Sequence, residues 1–134
     1  MYYGRMLPYG IYGARDVYPY WGVRYSQELW GIHPELSTYF TNGHNVNFYM
    51  GALSFMAPFE FGGINYDATF GVDYAYYSGH TVHTKLPFTQ DGGIHFGFAP
   101  LLPISDHWAL RVDFIMFINP GMFLNVDAGL NYTF

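Results

Sequence analysis

Hydrophobic and polar residues alternate with a period of two in segment after segment of this chain. From Phe123 to Phe134, residues Leu124, Val126, Ala128, Leu130, Tyr132 and Phe134 fall on one face. Asn125, Asp127, Gly129, Asn131 and Thr133 fall on the other. That is the pattern of a β-strand with one apolar face. The preceding segment repeats it, with Trp108, Leu110, Val112, Phe114 and Met116 opposite Ala109, Arg111, Asp113 and Ile115. Between the two lies Ile118-Asn119-Pro120-Gly121, a turn signal that makes them a hairpin.

Earlier segments alternate in the same way. Phe70, Val72, Tyr74 and Tyr76 oppose Gly71, Asp73, Ala75 and Tyr77, and Ile94, Phe96 and Phe98 oppose His95, Gly97 and Ala99. Trp21, Val23 and Tyr25 oppose Gly22, Arg24 and Ser26, while Val46, Phe48, Met50 and Ala52 oppose Asn47, Tyr49 and Gly51. Glu35 to Thr41 and Phe59 to Asn65 complete a set of eight. Turn signals stand at Thr41-Asn42-Gly43-His44, Ala57-Pro58, Asn65-Tyr66-Asp67 and Pro100 to Asp106, and the longest connection runs from Ser78 to Gly93. The chain shows no helical periodicity, no internal repeat and no run approaching the ~20 apolar residues of a membrane helix.

Alternation alone fits a soluble sandwich as well as a barrel, and the content of the faces decides between them. The apolar face carries Trp, Phe, Tyr, Leu, Val and Met without a charge. The opposite face carries Gly, Ala, Asn, Ser and His with isolated Arg24, Asp73, Arg111, Asp113 and Asp127. That second face suits the lining of a narrow tube better than a water-exposed surface. Composition agrees: charged residues are 11% and aromatics 22%, with 14 Tyr, 13 Phe and 16 Gly. An ordinary soluble domain has roughly 25% charged residues. The reading is therefore an all-β, transmembrane, antiparallel up-and-down β-barrel of about eight strands. Residues 19–134 form the barrel, and residues 1–18 an irregular Tyr/Gly-rich segment held by the lumen or by a neighbouring protein. With the C-terminus on the inner side, the Ser78 to Gly93 loop lies outside and the Asn42-Gly43 turn inside.

The ending Ala128-Gly129-Leu130-Asn131-Tyr132-Thr133-Phe134 resembles the C-terminal signature of bacterial outer-membrane barrels, in which a final aromatic caps an alternating strand read by the assembly machinery. Asn119-Pro120-Gly121-Met122-Phe123 through Phe134 is also similar to the outer-membrane protein W family. The chain resembles more generally the small barrels typified by outer-membrane proteins A and X. The resemblance implies a bacterial outer-membrane location, a leader removed before Met1, and outer-membrane lipids as surroundings.

The charge balance, five basic residues against ten acids, excludes nucleic-acid binding. The absence of cysteine removes thiol nucleophiles and thiolate metal sites. His80, His83, His95 and Asp91 are metal-ligating residue types, and Ser78, His80 and Asp91 are triad residue types, but neither spacing matches a working motif. No catalytic, cofactor-binding or metal residue is assigned, and the expectation is a protein that is not an enzyme. Arg24, Glu60, Asp73, Arg111, Asp113 and Asp127 are expected to pair as a plug inside the tube rather than to conduct ions. The functional expectation is an outer-membrane barrel with a structural, anchoring or protein-interaction role in the cell envelope, its partner an envelope protein or a second copy. The alternatives are a porin-like transport barrel for small apolar solutes, and a soluble or extracellular aromatic-rich β-protein such as a filament or shell subunit.

Overall fold

The computed structural model describes residues 1–8, 18–43, 46–79, 90–118 and 122–132. They form eight antiparallel strands: β1 (Tyr2–Pro8), β2 (Tyr18–Ser26), β3 (His33–Gly43), β4 (Val46–Phe61), β5 (Ile64–Gly79), β6 (Gln90–Pro103), β7 (Trp108–Ile118) and β8 (Phe123–Tyr132). Each strand pairs with its sequence neighbours, and β1 closes the sheet on β8 from Tyr2↔Gly129 to Pro8↔Phe123. The result is an all-β, up-and-down closed barrel, as the alternation foretold.

The wall has its apolar side outward. Val72, Tyr74, Phe96, Phe98, Phe114 and Leu130 are exposed, while Asp73, His95, Arg111, Asp113, Asn125 and Asp127 are buried inside. Arg5, exposed on β1, is the one charged residue at the outward alternate positions of the described strands.

Six expectations need correction. Residues 1–18 are not uniformly irregular, because Tyr2–Pro8 is a wall strand and Tyr18 opens β2. Its Gly4 and Pro8 mask a short strand whose partners lie at opposite ends of the chain. Phe59–Asn65 is not a strand but a hairpin tip, turned by Gly62 and Gly63 at φ 63° and 79°. Left-handed angles at both central positions give a two-residue turn whose twist matches the strands. Ala57-Pro58 and Asn65-Tyr66-Asp67 therefore lie within β4 and β5 rather than at turns, and Glu60 sits exposed on that hairpin instead of in the lumen.

Losing one strand at Phe59 and gaining one at Tyr2 shifts the parity of every connection before β5. The Asn42-Gly43 end of β3 consequently lies at the same end of the barrel as Gly79, where β5 ends, and Gln90, where β6 begins, not opposite them. Finally, Phe48, Met50 and Ala52 are buried in the interior, with Tyr49 and Leu53 outside. Both faces of β4 are apolar there, so composition alone assigned the wrong side.

The β4–β5 hairpin projects beyond its neighbour. The β3–β4 ladder stops at His33↔Met56, whereas β4 continues paired to β5 as far as Phe61↔Ile64. Alternate residues of an antiparallel strand direct both backbone groups to the same neighbour. Because Phe61 and Ile64 close the two-residue turn, Pro58 and Glu60 face the flank that β3 has vacated.

The closing role of β1 is directly testable. Deleting residues 2–8 should abolish the compact, SDS-resistant species that a closed barrel gives on an unheated gel. A deletion variant retaining that species would show that β1 is dispensable.

Candidate functional site: the lumen and its mouth

The interior is filled in layers. At the end that carries Met1 and the β2–β3, β4–β5 and β6–β7 turns, an open vestibule of about 610 Å³ is lined by residues including Arg24, His33, Met56, Asp67, Trp108 and Tyr132. Beneath it lies a charge network. Arg24 donates to Asp113 and to Asp127, each at 2.6 Å. Arg111 donates to Glu35 at 2.7 Å and to Asp113 at 2.8 Å, with Asp67 at 3.9 Å. Shared contacts of this kind, each arginine bridging several carboxylates, are what allow charges to remain buried in a narrow tube.

Alternation explains why these residues converge. Arg24, Glu35, Asp67, Arg111, Asp113 and Asp127 come from β2, β3, β5, β7 and β8, each at an inward position. The expected plug of Arg24, Arg111, Asp113 and Asp127 is therefore present. It also includes Glu35 and Asp67, which the alternation of their weakly patterned strands did not single out.

Past the charges comes an aromatic layer. Tyr20 donates to Asp127 at 2.8 Å, and the Arg24 guanidinium stacks over Tyr2 with 3.9 Å to the ring centroid. Tyr2, Tyr20 and Tyr39 pack edge to face or tilted, at centroid distances of 5.3–6.2 Å. Phe117 follows, between Tyr39 at 5.5 Å and Phe123 at 5.3 Å, and Phe48 packs on Phe123 at 5.5 Å. Arg24, Asp73, Arg111, Asp113 and Phe123 thus occupy the lumen as expected. The Tyr77 side chain, His80, His83 and Phe134 lie outside the described residues.

A second polar cluster sits in the wall of the same lumen. Ser54 on β4 and His95 on β6 flank Gly71 of β5 at one level of the sheet, in the register Ser54↔Gly71↔His95. The Ser54 hydroxyl is 2.9 Å from His95 Nε2, and His95 Nδ1 is 3.4 Å from Asp73 Oδ2. Ser54 and His95 are 2% and 1% exposed. Gly71 makes this possible, since a Cβ there would meet the His95 ring at 2.7 Å and the Leu53 carbonyl. The imidazole lies over the missing side chain and so spans a strand to reach Ser54.

Sequence reasoning placed His95 in a metal grouping and Asp73 in the plug, but did not bring Ser54 to either. Ser78 and His80 supply the same residue types in a segment that reads as a loop, but Ser78 lies in β5, paired with Asn47, and His80 lies outside the described residues. Among the described residues no group of three metal-ligating side chains converges. The buried Thr69 hydroxyl and the Asn125 amide have no hydrogen-bond partner among the described residues.

Compared with models of known protein families and with curated proteins, the chain matches none.

The network makes a stability prediction. Arg111→Ala strands Glu35 and leaves Asp113 to Arg24 alone, and breaking a buried pair from one side costs about 3–5 kcal/mol. Adding Glu35→Gln should restore part of that loss. Urea midpoints of the two variants in detergent micelles should fall in that order, and equal midpoints for Arg111→Ala and the parent would remove the network from the stability argument.

Proposed function

We propose that this chain is a transmembrane barrel of a bacterial outer membrane with a structural or interaction role in the envelope. One observation carries the reading: the closed wall presents aromatic and aliphatic residues outward, with Arg5 the one charge among them, and keeps Arg24, Arg111 and most of its strand carboxylates inside. In water such a surface is a liability, with exposed apolar area far beyond the few hundred Å² of a typical soluble monomer. In lipid it is the natural solution. Closure satisfies the backbone groups that hydrocarbon cannot, and an apolar band with interfacial Trp and Tyr matches the bilayer. Trp108 and Tyr132 near the vestibule end, with Tyr49 and Tyr76 toward the other, fit such girdles.

The role within the envelope follows from the lumen. Eight strands leave an interior that side chains fill, and here the charge network and aromatic layer occupy it. Passage of solutes is correspondingly disfavoured against contact. The vestibule end supports contact, because its turns expose Trp30 at 98%, Phe61 at 73% and Ile104 at 63%. Trp30 is held at φ 52° beside Gly31, a left-handed angle that is uncommon for a bulky residue and presents the indole at the tip of its hairpin. The docking role expected of the N-terminal tyrosines does not extend to Tyr2 and Tyr18, which are buried in the barrel.

The protein should require detergent and migrate faster unheated than boiled on an SDS gel. Monomeric solubility in plain buffer would defeat the membrane reading. In planar bilayers the purified barrel should conduct only weakly, and a steady, large conductance would promote transport over anchoring.

A further inference from the structure

Beyond anchoring, we propose that Ser54, His95 and Asp73 form a nucleophilic relay that takes the acyl group of a small carboxylic ester admitted through the vestibule. The protonation pattern follows from the surroundings. A carboxylate faces His95 Nδ1, so the ring proton sits on that nitrogen and donates to Asp73. Nε2 is then the acceptor, and the Ser54 hydroxyl donates to it at 2.9 Å. Nucleophile, base and orienting acid thus stand in the order that activates a serine, and the test of such a constellation is its geometry rather than its fold.

Two further observations bear on a substrate. The Thr69 hydroxyl is 3% exposed and unpartnered among the described residues. It occupies the inward position next to Gly71 on β5, a free donor beside the relay for the carbonyl oxygen. Access comes from the vestibule. Met56, the inward residue after Ser54 on β4, lines that cavity and pairs across the sheet with Thr69. Its thioether receives a hydrogen bond from Arg111 at 3.3 Å. A methionine has three rotatable bonds and adapts readily to a neighbour, so this side chain is an adaptable part of what separates the vestibule from the relay. A cavity of about 610 Å³ with apolar and polar walls admits a small ester.

The reaction balances without any other reagent than water. Ser54 Oγ bonds to the ester carbonyl carbon as its proton passes to His95 Nε2. The bond to the alkoxy group breaks, and His95 returns the proton to the departing alcohol. Water then repeats the sequence on the acyl-serine, releasing the carboxylic acid and restoring Ser54. Asp73 holds the imidazole in place and stabilises its charged form throughout.

The test uses the folded full chain in detergent micelles with p-nitrophenyl acetate, reading p-nitrophenolate release and acid-quenched peptide mass. Release should be accompanied by acetyl-Ser54, be lost in Ser54→Ala, and fall by about 100-fold in His95→Gln, the typical contribution of a general base. Met56→Ala should speed it. Folding of each variant is checked by its unheated migration, which separates a failed relay from a failed barrel. Release unaffected by Ser54→Ala and His95→Gln, in both the parent and the Met56→Ala background, would reduce the trio to a hydrogen-bonded brace and overturn the proposal. Detergent dependence is read on the same samples and bears on the membrane reading alone.

Discussion

Everything in this molecule depends on the ladder between its first and last strands. Tyr2 to Pro8 supplies only seven residues, yet it converts an open sheet with two bare edges into a wall without edges. An unpaired backbone group in an apolar medium costs several kcal/mol, so closure is the condition for an apolar exterior. It also fixes the polarity of the whole design. Once the wall is closed, alternate side chains can go only into the tube or out of it, and a narrow tube cannot hold the aromatics that the exterior can.

The interior answers this shortage of space with glycine. Gly22, Gly71 and Gly129 each lack a Cβ where a neighbouring strand's side chain passes: the Tyr2 ring over Gly22, His95 over Gly71, and Tyr2 again beside Gly129. Side chains therefore lie flat along the wall and reach across strands. Tyr2 reaches the Thr38 carbonyl at 2.6 Å in this way, as His95 reaches Ser54. Charge is managed by sharing: two arginines hold Glu35, Asp67, Asp113 and Asp127, with Asp113 contacted by both. Removing either arginine would leave carboxylates facing one another at close range.

Much of the fold was legible because period-two alternation is a local signal. Trp108–Ile118 and Phe123–Tyr132 declare strand and orientation within a few residues, and so do Phe70–Tyr76 and Ile94–Phe98. Legibility failed where the local signal was absent or symmetrical. Tyr2–Pro8 is short, contains Gly4 and Pro8, and draws its order from β8, more than a hundred residues away in the chain. Phe48, Met50 and Ala52 look like an outward face because the opposing face is also apolar. The Ser54–His95–Asp73 cluster was beyond reach for another reason. Its members stand on three strands, and only the register Ser54↔Gly71↔His95 brings them together. A signal existed in Gly71, a glycine at an inward position of a long strand, but it gains meaning only when its neighbours are known.

The overhanging β4–β5 hairpin has a consequence for how copies of this protein meet. A flank of β-strand extending past its neighbour is ordinarily an invitation for another chain to add a strand, and stacks of barrels would follow. Here the invitation is withdrawn at the level of single atoms. Pro58 offers that flank a carbonyl but no N–H, and Glu60 sets a carboxylate two residues further along. Proline and charge on an open edge are how natural sheets resist adhesion. The hairpin can therefore stand clear of the wall, with Phe59 stacked on Tyr66 at 5.2 Å, without turning the protein into a seed for its own polymer.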